Sequence, residues 1–206
     1  MDSSTPSIRQ ATAALAAALV AVAASAADPL PISLDAESST FNRQTNMVEF
    51  RRLSITQGEM NIRADEAVAT GLDFEQGEWR FSGNVLFMAE GARIEANSAT
   101  ITFAANVLQS AELVGTPAMF EQASEPNEDP LSGGANRLAY DNVGRVIRML
   151  DGAWFRQGPN EFRGCDLIYD LDREQITSGS SDCGEPIVIT IVPRSGDNES
   201  ASSSSP

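Results

Sequence analysis

From Trp79 to Phe87 the chain reads WRFSGNVLF, and its apolar residues fall on every second position. Trp79, Phe81, Val85 and Phe87 share one side with Gly83, while Arg80, Ser82 and Asn84 share the other. A period of two marks a strand with one buried face. Leu86 and Met88 are apolar on the nominally polar side, so that side is not fully wet. Beyond residue 28 no stretch carries the 3.6-residue rhythm of an amphipathic helix.

The pattern recurs. Aligned on a small residue before a polar one, five words read SLDAESST (33–40), NIRADEAV (61–68), RIEANSAT (93–100), GGANRLAY (133–140) and FRGCDLIY (162–169). Their anchors are Ala36, Ala64, Ala96, Ala135 and Gly164. Between anchors lies a second word, FSGNVLF (81–87), LVGTPAMF (113–120) or LDGAWF (150–155), with a weaker VEFRRLSI (48–55) in the first unit. Turn-like segments separate the words, among them FNRQTN (41–46), AAN (104–106), DNVGR (141–145) and DLDR (170–173). Asn, Asp and Gly there tolerate the positive φ that chain reversals need. Each unit of roughly 30 residues is therefore predicted as strand, turn, strand, turn, a period that signals a repeat architecture. The longest spacing contains EQASEPNEDPLSGG (121–134), which reads as an inserted acidic loop. Gly83, Gly115 and Gly152 occupy one place in the second word. Glycine weakens a strand interior, so its recurrence predicts a bend, a bulge or a close backbone approach at each level.

One hairpin cannot bury its apolar face alone, but stacked hairpins can pack curved sheets against each other. The expected fold is all-β, a β-jellyroll or a stacked solenoid of antiparallel hairpin repeats, with an elongated apolar interior. Such an array has open ends, whose edge strands offer unpaired backbone groups. PIVITIVPR (186–194) reads as a last strand, and the Ser-rich SGDNESASSSSP (195–206) as a disordered polar tail.

Composition narrows the function. A formal net charge of −15 argues against nucleic acid as a partner, because phosphate binding needs a basic face. All 14 cationic residues are Arg, and the chain has no His, which removes the commonest acid–base catalyst and metal ligand. No metal site and no cofactor is expected. Residues 1–26 hold one Arg, an Ala/Leu/Val run from Ala11 to Ala24 and the small-residue pattern Ala24-Ser25-Ala26. They read as a cleaved secretory signal peptide, the run being shorter than the roughly twenty residues that span a bilayer. Residues 27–194 are then expected to form one β domain, exported to an oxidising compartment. The two cysteines, Cys165 and Cys183, could form a disulfide in that compartment or stand as separate thiols.

ADPLPISLDAE at the expected mature start, GNV followed by AEGARIEANSATITF, GTPAMFEQ, GGANRLAYD and the closing IVITIVPR together resemble the LptA/OstA family. The resemblance runs from about Pro31 to Arg194 and rests on the order of the words rather than on any single one. It implies a twisted β-jellyroll of the OstA-like kind in the periplasm, as part of the lipopolysaccharide transport bridge of Gram-negative bacteria. It implies lipopolysaccharide as cargo, with the lipid A acyl chains in an apolar groove, and no catalysis. It further implies end-to-end pairing through edge strands with LptC-like and LptD-like β-jellyroll domains, or head-to-tail self-association. Two alternatives stay open: an LptC-like component whose N-terminal run remains in the membrane, and a structural envelope β protein without lipid cargo. The two cysteines are not demanded by the family pattern.

Alternation nominates Leu34, Ile62, Trp79, Phe81, Val85 and Phe87 as groove residues, followed by Ile94, Ile101, Phe103, Leu113, Leu150 and Trp154. Phe120 and Tyr140 join them because they sit in the words PAMF and LAYD that the resemblance covers. Phe120 has the wrong parity relative to Gly115 in a regular strand, and Pro117 could mark a bulge that re-aims it. Groove and dry core are built from the same residue types, so each side chain is equally readable as packing. Arg51, Arg52, Arg63, Arg93 and Arg163 could touch lipid phosphates, although pairing with the many carboxylates is the simpler reading. A carbohydrate-active enzyme would need clustered acids on one face. Asp65, Glu66, Asp166 and Asp170 recur near the anchors but read as solvated strand ends.

Overall fold

The computed structural model describes residues 30–71, 76–89, 91–122, 126, 128–178 and 186–193. The expected signal peptide, the C-terminal tail and Cys183 lie outside these residues. Twelve antiparallel strands form one sheet: β1 (Ser33–Asp35), β2 (Ser38–Asn42), β3 (Met47–Gln57), β4 (Met60–Thr70), β5 (Gln76–Ala89) and β6 (Ala92–Ala104), followed by β7 (Val107–Gln122), β8 (Leu131–Asp141), β9 (Val146–Gln157), β10 (Asn160–Asp170), β11 (Gln175–Ser178) and β12 (Val188–Thr190). From β3 to β11 each strand pairs with its sequence neighbour. Both edges are split. β1 and β2 share β3 at one end, and β11 and β12 share β10 at the other.

The repeated words mark a crease. In β4, β6, β8 and β10 the register slips at the anchors, between Arg63 and Glu66, Glu95 and Ser98, Gly134 and Arg137, and Gly164 and Asp166. In β5 and β9 the same row is a two-residue left-handed kink, Gly83-Asn84 (φ 75° and 46°) and Asp151-Gly152 (φ 66° and 81°). In β3 it is Arg52 (φ 47°). In β7 it is Gly115 to Pro117, between the paired residues Val114 and Ala118. Left-handed residues in some strands and bulges in the others bend the strands at one level.

The bend folds the sheet into two facing leaves. One leaf holds Trp79, Phe81, Ile101, Leu113, Leu138, Tyr140 and Tyr169, and the other holds Ile55, Ile62, Phe87, Ile94, Phe120 and Phe155, all within one buried cluster. The rings of Phe87 on β5 and Tyr140 on β8 lie 5.8 Å apart, and those of Phe120 on β7 and Tyr169 on β10 lie 6.1 Å apart. Strands three apart in a flat sheet would be separated by about 14 Å. The contacts exist only because the leaves close on each other, offset by three strands through the accumulated twist. The expected pair of curved sheets is thus one continuous sheet, creased. The last strand is shorter than its Ile- and Val-rich sequence suggests. Only Val188–Thr190 pairs, along Glu161–Arg163, with Pro186 and Pro193 on either side, which cannot donate to a ladder.

Candidate functional site

The apolar interior between the leaves is where the nominated residues converge. Ile62, Trp79, Phe81, Val85, Phe87, Ile94, Ile101, Phe103, Leu113, Phe120 and Tyr140 are all buried in it, and Leu34 on the edge strand is half-buried against it. Phe120 reaches the interior because β7 carries extra residues at the crease. Ala118 and Phe120 therefore face inward at even positions, where Ala111 and Leu113 face inward at odd ones. The bulge at Pro117 is what re-aims it.

Leu150 and Trp154 are corrections. Both are half-buried and stand outside the cluster, whereas Ile147, Met149, Ala153 and Phe155 point inward. The slip has a simple origin. The kink in β5 is Gly-Asn and that in β9 is Asp-Gly, so matching the two glycines shifts the alignment by one residue. With a period of two, a one-residue shift exchanges the faces. Matched on their kinks, Phe81, Val85 and Phe87 correspond to Met149, Ala153 and Phe155. Trp154 instead lies on the outer face, with the Arg156 guanidinium 5.4 Å from its ring centroid.

Opposite the crease, the rims of the two leaves meet along a seam. Near its N-terminal end the seam is stitched. Gln57 donates from Nε2 to the Asn106 carbonyl at 2.7 Å and to the Leu30 carbonyl at 3.0 Å. Tyr140 donates to Asn142 Oδ1 at 2.7 Å, and Asn142 donates to the Leu108 carbonyl at 2.9 Å. A cavity of about 310 Å³ remains there, with Met60, Ala89, Leu108 and Tyr140 in its wall. Burial raises the Tyr140 pKa, with a further push from Asp141, so the phenol stays protonated and keeps donating.

Toward the C-terminal end the seam opens into a cavity of about 530 Å³, inside the range of small-molecule pockets. Its floor is Leu131, Phe155, Phe162, Tyr169 and Ile176. The Phe155 ring lies 5.3 Å from that of Tyr169, tilted by 39°, and meets Phe162 edge-on at 6.4 Å. Glu128, Asp129 and Glu174 stand on its rim with Gln122, Gln157 and Gln175. The Tyr169 pKa is raised by burial first and by Glu174 second. Sequence reading passed over this floor. The signal was present, since Phe155 closes LDGAWF and Phe162 and Tyr169 bound FRGCDLIY, but nothing local places the three together.

The outer surface is charged and locally paired. Arg52 pairs with Glu37, Arg93 with Glu95, and both Arg156 and Arg163 with Glu161. The two guanidiniums lower the Glu161 pKa, Arg163 first. Of the four acids considered for hydrolytic chemistry, Asp65 accepts from Asn84 at 2.7 Å, while Asp170 accepts from the Arg173 and Asp172 backbones in a turn. They sit on β4 and β10, six strands apart in the sheet. Among the described residues no three His, Cys, Asp or Glu side chains gather in a way that could hold a metal ion. Cys165, in the crease of β10, is disulfide-bonded, and the chain has one other cysteine, Cys183. No described helix is long and apolar enough to cross a membrane.

Residues 69–175, more than half of the chain, match the family model described as LptA/(LptD N-terminal domain) LPS transport protein. The lipopolysaccharide export system protein LptA of Escherichia coli K12 is 25% identical over 184 residues, covering 89% of this chain and 82% of that protein. LptA of Haemophilus influenzae is 27% identical over 136 residues, covering 65% and 76%. Among solved structures, LptH of Pseudomonas aeruginosa, described as the LptA-homologous periplasmic component of the lipopolysaccharide transport device, aligns at 20% identity and a TM-score of 0.48. That alignment covers 80% of this chain and 96% of LptH.

Proposed function

This chain belongs to the LptA/(LptD N-terminal domain) LPS transport protein family, and from that premise we propose that it is a periplasmic carrier of lipopolysaccharide. In this reading the acyl chains enter the seam between the two leaves and rest against the apolar interior while the headgroup stays at the rim. Exposing acyl chains to water costs about 0.8 kcal/mol per CH₂, and an apolar trough offsets that cost along the path. The carrier performs no chemistry, and release to the next segment matters as much as binding. The observation that carries the reading is the cavity of about 530 Å³ at the open seam, floored by aromatic and aliphatic side chains continuous with the core.

The neighbours in the path are LptC-like and LptD-like domains, or further copies of this chain, added strand to strand. Two features support this. Both sheet edges are short split strands, and β2, β11 and β12 contain no charged residue in a chain with 21% charged residues. Charges are a common guard against edge pairing, so their absence favours it. Ile187, Val188, Ile189, Ile191 and Val192 also expose apolar surface at the C-terminal edge.

The test is mass spectrometry of lipids retained by the protein purified from its native envelope. Retained lipopolysaccharide is the expected result. A folded protein that carries no acylated lipid and displaces no acyl probe is a structural β protein, and the carrier reading fails. Phe155→Glu should abolish acyl-probe binding, whereas Trp154→Glu, on the outer face, should not. Circular dichroism confirms that each variant is folded.

A further inference from the structure

We propose that Gln57 is a latch on the seam: its side-chain amide holds the two rims together over the N-terminal cavity, and an acyl chain reaches that cavity only when the bond to Asn106 opens. This inference rests on the carrier reading above and says where along the seam passage is controlled. Gln57 ends β3 on the rim of one leaf, and Asn106 lies in the turn between β6 and β7 on the rim of the other. In a flat sheet β3 and β6 would stand about 14 Å apart. Yet Gln57 Nε2 donates to the Asn106 carbonyl at 2.7 Å, so this bond crosses the seam rather than joining neighbouring strands. The same nitrogen donates to the Leu30 carbonyl at 3.0 Å. Both hydrogens of the amide are then used, and one side chain ties three separate segments together.

The partners of Gln57 are themselves held. Ala105 and Asn106 both have positive φ, 51° and 61°, the tight two-residue hairpin geometry that matches the sheet twist. Gln109 Nε2 braces this turn by donating to the Ala104 and Val107 carbonyls, each at 3.3 Å. Leu30 lies across Gly58, where an added Cβ would fall 2.7 Å from Leu30 Cδ1, so the bare glycine leaves room for the N-terminal segment to pass. Beneath the latch is the cavity of about 310 Å³, and its wall residues Leu108 and Tyr140 belong to the buried interior. A lipid carried with its tails inside and its headgroup outside occupies the seam itself, so a bond across the seam stands in its way. Two neutral hydrogen bonds favour the closed seam by a factor of about ten or more, which arriving cargo can overcome.

The test uses the full chain with Leu108→Cys, which places a thiol in the cavity wall under the latch. Native Cys165 is disulfide-bonded and does not compete. Dodecyl methanethiosulfonate supplies an acyl-like chain, methyl methanethiosulfonate is its small counterpart, and mass spectrometry follows each adduct. Gln57→Glu cannot donate and repels both carbonyls, and in that background both reagents should react about tenfold faster. Gln57→Lys, whose ammonium can donate to both carbonyls, should return the rate to within about twofold of the parent. Val85→Cys, buried at the crease, reports global unfolding and should react at one rate in all three backgrounds. Equal acceleration at both thiols, or none at the Leu108→Cys thiol, overturns the latch. Acceleration of the methyl reagent alone shows that the opening admits no chain and also overturns it, while a fluorescent acyl probe that still binds the parent leaves the carrier reading standing. If that probe binds neither the parent nor Gln57→Glu, both readings fall.

Discussion

Replacing Gly83 by Ala tests the crease on which the two-leaf fold depends. Gly83 has φ 75°, and a Cβ built there falls 2.6 Å from Asp65 Oδ2 and 2.9 Å from Asp65 Cβ. Asp65 cannot swing away freely, because its Oδ2 accepts a hydrogen bond from Asn84 at 2.7 Å. Gly152 is a useful control in the same row of the sheet. It has φ 81°, and nothing lies within 4 Å of its added Cβ. Gly152→Ala therefore bears only the left-handed backbone cost, about 1 kcal/mol. Gly83→Ala bears that cost, plus about 1 kcal/mol for the disturbed hydrogen bond and a further contribution of about 1 kcal/mol from the steric shift. The expected losses are thus about 1 kcal/mol for Gly152→Ala and about 3 kcal/mol for Gly83→Ala. Urea unfolding followed by tryptophan fluorescence measures both, with the m-value checked for constancy so that the midpoint reports stability. In an Asp65→Ala background the Gly83→Ala penalty should shrink, as expected for residues in direct contact. Equal penalties at the two glycines would show that the approach of Asp65 does not constrain the crease. Two neutral substitutions would show that the crease tolerates any residue, and the account of the repeated glycine would be wrong.

Other expectations follow from the same geometry. Phe120→Ala removes a fully buried ring that touches both leaves, and should cost about 3–5 kcal/mol. Leu150→Ala, half-buried and outside the cluster, should cost well under half as much in the same unfolding assay. Asp170 has its pKa lowered by the Arg173 backbone N–H and then by the Arg173 side chain, and Glu161 by Arg163 and then Arg156. A lowered folded-state pKa means the stabilisation is present above the unfolded value and is lost as pH falls through the folded one. Both carboxyls should hold their contribution at neutral pH and lose it below about pH 4. Carboxyl NMR titration should show the Asp170 pKa rising toward its ordinary value in Arg173→Ala. Breaking the disulfide at Cys165 by Cys165→Ser should lower stability by about 2–4 kcal/mol. An unfolding midpoint unchanged from that of the oxidised protein would show that the bond does not restrain the fold.

Much of this molecule is written locally. Alternation in WRFSGNVLF depends only on residues two apart, so it specifies a strand and its buried face from β5 alone. The turns at 105–106, 142–145 and 171–174 fall where Asn, Asp and Gly cluster in the chain. The repeated anchors and glycines proved to be one row of bends. The resemblance to the LptA/OstA family was legible in the order of words. Parity across a bend was not, because it depends on how many residues the bend consumes and in what order. Asp151-Gly152 and Gly83-Asn84 look interchangeable as letters, yet they place Trp154 outside and Phe155 inside. The seam was further still from view. Leu131, Phe155, Tyr169 and Ile176 meet across its open end only because a small twist at each strand accumulates until one leaf overhangs the other by three strands. The sequence by itself determined strands, turns and the rows of bends, since these answer to neighbours along the chain. Only the tertiary structure decided which faces oppose across the crease and where the interior opens, since that is a sum over all the strands together.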